Sequence, residues 1–135
     1  MTKPNRFPIL LPAAVIVTAF LTACTTGHLE YITADGERKV TCETEYTWQP
    51  SVDKYAVEYV LAYCARQVVS QGYAVVDTDL LELDVTIPIP PTGEEWSHRL
   101  AKRQHQQGLL SDKEYGYIIA YLDLAEYVVR QRNGE

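Results

Sequence analysis

The chain has 135 residues, 47% of them hydrophobic, with 12 Lys and Arg against 18 Asp and Glu for a formal charge of −6. That length holds one modest core, and the acidic balance excludes a protein built to neutralise nucleic-acid phosphates or to read an anionic membrane through a basic patch. Ten tyrosines, all from Tyr31 onward, supply amphipathic rings that suit half-buried faces and contact surfaces.

The N-terminus opens with Lys3 and Arg6 and continues as FPILLPAAVIVTAFLTA over residues 7–23. A basic start, an apolar run and small residues before a cleavage point predict a secretory signal. Pro8 and Pro12 argue against a membrane-spanning helix, which needs ~20 uninterrupted apolar residues. Leu21-Thr22-Ala23-Cys24 resembles the lipobox of bacterial lipoproteins. The resemblance implies cleavage after Ala23, acylation of Cys24 and anchorage in the cell envelope. Thr25, where an Asp would signal inner-membrane retention, points by the same resemblance to the periplasmic face of the outer membrane. Residues 1–23 are then the signal and 24–28 the acylated cysteine with a short tether.

Residues 28–48 predict a β-hairpin turning at Ala34-Asp35-Gly36-Glu37. In KVTCETEY, alternation places Val40, Cys42, Thr44 and Tyr46 on one face. After Pro50, Ser51 is a candidate N-cap for a helix running to Gly72, with Asp53 in its first turn. Val57, Leu61, Cys64 and Val68 form a stripe on that helix. Cys42 and Cys64 both point to the core side, and an exported chain with one remaining pair predicts a Cys42–Cys64 disulfide. Their spacing, with no His alongside, does not suit zinc, and no metal or other cofactor is expected. Tyr73–Asp77 reads as a short strand. Asp79 and Glu82 have capping-box spacing for one helical turn, and Pro88, Pro90 and Pro91 make residues 84–92 an extended connector. Residues 29–91 form the disulfide-tied part.

Residues 92–135 predict a helical hairpin. Thr92 to Glu95 has capping-box spacing and opens a helix stopped by Gly108; Ser111 to Glu114 is a second box, opening a longer helix. GLLSDKEY, residues 108–115, resembles the G-[IL]-[IL]-[ST]-x-x-E-[FY] core of the SHOCT short C-terminal domain, with about 30 residues (95–125) covered. That resemblance implies oligomerisation or association. Along the last helix, Tyr115, Ile118, Ile119, Leu122 and Val129 form one apolar stripe and Tyr117, Tyr121, Leu124 and Val128 a second, with Gly116 permitting close backbone approach.

His98 and His105, seven apart, lack the i, i+4 spacing of helical metal pairs and read as solvated. Arg99, Lys102 and Arg103 beside them make a basic strip, which either faces solvent or meets the acidic stretch Asp77, Asp79, Glu82 and Asp84. The acidic stretch lacks the pattern of a calcium loop. There is no GxSxG and no glycine-rich phosphate loop. The expected architecture is α+β: a short antiparallel sheet on a central helix, followed by a helical hairpin. The expected function is non-catalytic, an envelope lipoprotein that docks another envelope protein through Tyr117, Tyr121, Leu124 and Val128. The alternative is a periplasmic inhibitor or small-ligand binder using the hairpin edge or the Pro-rich loop; a small hydrolase is disfavoured.

Overall fold

The computed structural model describes residues 24–134. The segment read as a signal peptide, with Leu21 to Ala23 of the lipobox-like stretch, lies outside the described residues. Strands β1 (Thr25–Ile32) and β2 (Arg38–Tyr46) form an antiparallel hairpin, followed by helix α1 (Pro50–Ser70), strand β3 (Ala74–Val75), the single turn α2 (Asp79–Glu82), and helices α3 (His98–Gln106) and α4 (Asp112–Asn133). The sheet order is β2-β1-β3, so β1 is central and antiparallel to both neighbours. The protein is α+β, a three-stranded sheet on a central helix with a helical hairpin behind it.

The hairpin starts earlier than its sequence suggests. Thr25 pairs with Tyr46, Thr26 with Glu45 and Gly27 with Thr44, so the stretch read as a tether is strand. Its side chains have the period of a strand, and Gly27 gives the reason for the inward face: a Cβ there would lie 2.5 Å from Val57 Cγ1. Only glycine lets the strand lie this close on α1.

The alternation read across β2 breaks at Cys42. The register shifts between Gly27 and Leu29, and Cys42 has φ = +53°, a β-bulge with a left-handed residue. Thr41, paired with buried Leu29, is half-buried while Val40 is exposed. Val40 therefore does not share a face with Cys42, Thr44 and Tyr46. The same kink turns Cys42 onto α1, where it is disulfide-bonded to Cys64 across a Cα separation of 6.4 Å.

Helix α1 begins at Pro50, whose missing N–H suits a first turn. Gln49 takes the cap position expected of Ser51, and its N–H donates to Asp53 Oδ2 at 2.9 Å. Buried Asp53 thus closes the helix start from inside. Gly72 follows the helix with φ = +87°, as its C′ position predicts. The α2 turn forms without the expected box: Asp77 Oδ1 accepts from the Asp79 N–H at 3.2 Å. Arg66 binds this segment to α1 by donating to the Leu83 carbonyl at 2.7 Å.

The first helix of the hairpin starts later than Thr92. Gly93 has φ = +80° and Trp96 Nε1 donates to the Pro88 carbonyl at 2.7 Å, which holds residues 92–96 in a turn. Ser97 caps α3 instead, accepting from the Leu100 N–H. The box at Ser111 and Glu114 forms as read, with both reciprocal bonds present.

Two cores result. One gathers Leu29, Ala56, Val60, Cys64, Ala65, Val68, Val75, Leu80 and Ala120 between sheet and helices. The other joins Val52 to Ala101, Leu110, Tyr115 and Ile118. Among the described residues, both lie between Leu29 and Leu124. Helices α1 and α4 run alongside each other in the same direction. At Gly116 an added Cβ would sit 2.7 Å from the Val52 carbonyl oxygen and 2.9 Å from Tyr55 Cβ, so the two backbones touch.

Two variants measure these constraints in denaturant titrations. Removing the disulfide by Cys42→Ser with Cys64→Ser, a loop with a sequence separation of 22, should cost about 3 kcal/mol by the chain-entropy model. Gly116→Ala should cost about 1–3 kcal/mol through overpacking against backbone that has no rotamer to yield, although alanine is the better helix former.

Candidate functional site

Helix α4 changes character along its length. From Tyr115 to Ile118 every residue is buried, and Ala120 is too; from Ala125 to Gly134 every residue is exposed. At 22 residues the helix is about 33 Å long, and its C-terminal turns are exposed. Tyr127, Val128 and Val129 lie in this exposed part.

The tyrosine stripe is divided by that change. Tyr117 is only 2% exposed. Its hydroxyl donates to the Glu58 carboxylate, its ring lies 5.3 Å from that of Tyr59 in an edge-on contact, and burial, reinforced by Glu58, raises its pKa. Tyr117 is therefore a core residue and leaves the expected contact surface, because the close approach at Gly116 draws its turn of α4 under α1. Tyr121 and Val128 remain 44% and 40% exposed. With Leu124, Ala125 and, from α1, Tyr59 and Tyr63, they line an apolar groove of about 350 Å³. Ala125 is the small residue that leaves it open.

Two His–Asp pairs, not foreseen for the histidines, brace the helix below this groove. His98 Nε2 is 2.8 Å from Asp123 Oδ1, and the Tyr46 hydroxyl donates to Asp123 Oδ2 at 3.0 Å. Asp123 thereby joins β2, α4 and α3. Burial, then the Asp123 charge, raises the Tyr46 pKa well above the usual phenol range, so this hydroxyl stays a donor. At the other end of the hairpin, His105 Nε2 is 2.6 Å from Asp112 Oδ1, and its ring stacks on Tyr115 at 4.4 Å. Trp48 packs edge-on against the same Tyr115. The sequence signal for these pairs was the antiparallel hairpin itself, which brings Asp112 and Asp123 opposite His105 and His98.

The basic strip does not meet the acidic stretch among the described residues. Arg103 pairs with Glu94 at 3.4 Å, while Asp77 and Asp79 flank α1 beside Lys54. Among the described residues no three His, Cys, Asp or Glu side chains cluster to hold a metal, and no helix is long and apolar enough to cross a membrane. Cys24 is exposed and free, beside Glu45, whose hydrogen bond and charge raise the thiol pKa.

The Asp112 carboxyl is held below its ordinary pKa, chiefly by its hydrogen bond with His105 and then by Ser51. A depressed carboxyl contributes stability above its unfolded value, about 3.9, and loses it as pH falls through the lower folded value. Thermal midpoints of the native chain and Asp112→Asn should therefore differ most above about pH 4–5 and converge as the pH drops below the unfolded value. No family model, curated protein or solved structure matches the chain, so the reading of its function rests on these residues.

Proposed function

We propose that the protein is a non-catalytic lipoprotein of the bacterial envelope, acylated at Cys24 and held on the periplasmic face of the outer membrane, that docks another envelope protein. One observation carries the docking reading. The tyrosine-lined groove between α1 and α4 ends on Val128, and Tyr127 and Val129 on either side of the chain there are exposed as well. Exposed apolar surface of this extent marks contact sites, and aromatic side chains at its centre are the usual energetic anchors.

The shape of the groove supports a helical partner. Two helices side by side with a small residue between them accept a third helix lying along the groove, its apolar face inward. The membrane anchor is supported by the sequence from Lys3 to Cys24 and by the exposure of that cysteine.

The structure improves the choice of test residues. Leu124 packs on the core, whereas Tyr121 and Val128 are exposed. Tyr121→Ser with Val128→Ser should leave the stability within about 1 kcal/mol of the parent, as for other surface changes. It should also abolish recovery of the partner after crosslinking in intact envelopes. Recovery of the same partner by the folded double variant overturns the docking site. The mass of the protein extracted from those envelopes checks the anchor separately: the expected species starts at Cys24 and carries acyl chains.

A further inference from the structure

The apolar segment 7–23 joins the fold at Cys24, and the structure shows which end of the molecule that is. Thr25 is already paired with Tyr46, so no slack separates Cys24 from the sheet. Trp48 lies two residues beyond Tyr46, about 7 Å of extended backbone. It is 54% exposed despite resting its edge on Tyr115. Tyr115 belongs to the first turn of α4, and its N–H donates to the Ser111 carbonyl. The α3–α4 loop therefore reaches this same end, and it carries Leu109, 64% exposed, next to buried Leu110. The start of α1 is there too, since Val52 packs on Leu110 and Tyr115.

We infer that this end is a membrane-seated pole, in which Trp48 and Leu109 enter the lipid interface beside Cys24 and hold the domain in one orientation. The occupant is a lipid surface, because the acyl chains proposed on Cys24 leave the fold here, directly before the first rung of β1. Tryptophan is suited to the boundary, its ring apolar and its N–H able to bond to headgroups. The acidic balance of the chain makes the contact one of apolar insertion rather than of charge. The inference rests on the proposed anchor at Cys24, but its test does not require that cells acylate it.

The second tryptophan supplies a reference within the same molecule. Trp96 precedes α3 and is half-buried, its ring packed on the core and its N–H held by the Pro88 carbonyl.

The experiment uses residues 24–135 with the Cys42–Cys64 disulfide intact, which leaves Cys24 as the single reactive thiol. It is coupled to a maleimide headgroup lipid in phosphatidylcholine–phosphatidylethanolamine vesicles with or without brominated acyl chains. Coupling should blue-shift the tryptophan emission, and bromine should quench it at least twofold. In Trp48→Phe, whose emission comes from Trp96 alone, both effects should disappear. Leu109→Ser should reduce the quenching of Trp48. Equal quenching in the native chain and Trp48→Phe, or none in either, overturns the membrane-seated pole. A Cys24 that cells leave unacylated overturns the lipoprotein reading and leaves the vesicle result intact.

Discussion

The contact between Gly116 of α4 and the backbone of α1 at Val52 is the constraint on which the rest depends. It brings two helix axes closer than any side chain would allow. With the backbones touching, Tyr115, Tyr117 and Ile118 have no route to solvent. Tyr117 then needs a partner for its hydroxyl, and Glu58 supplies one. Higher up, where no second glycine holds the helices together, α1 and α4 leave the space that Tyr59, Tyr63 and Tyr121 line. The closed core and the open groove are two parts of one helix pair, set apart by their distance from a single glycine.

This explains how far the sequence can be read. The helical hairpin and the Ser111 box follow from local rules, and both form as expected. The disulfide was legible because a chain read as exported, with one pair of cysteines left, leaves few alternatives. The bulge at Cys42 was not legible, since it depends on pairing with β1 rather than on the β2 sequence. The alternation Val40, Cys42, Thr44, Tyr46 is regular as written and irregular as folded. Thr92 likewise has a cap's spacing, but Trp96 bonded to Pro88 holds that stretch in another shape.

The division of the tyrosine stripe has the same origin. Periodicity assigns Tyr117, Tyr121, Leu124 and Val128 to one face, and they do share one. What it omits is that the neighbouring helix covers only the lower part of that face. The histidines were underestimated for a related reason. Spacing within one helix tests for a metal pair, whereas His98 and His105 find their partners across a hairpin. Asp123 gained its importance the same way, through Tyr46, which is 77 residues distant.

The placement of β1 has a mechanical consequence. It is the central strand, hydrogen-bonded on one side to β2 along its length and on the other to β3, and its first residue follows Cys24 directly. A load applied at Cys24 enters the fold at the first rung of β1, where Thr25 pairs with Tyr46, and passes into the ladder with β2. The Cys42–Cys64 bond closes the path from β2 to α1 covalently. From there the load passes to α4 through the tight seam at Gly116. Cys24 is thereby joined to α4 through a strand ladder, one covalent bond and one backbone contact.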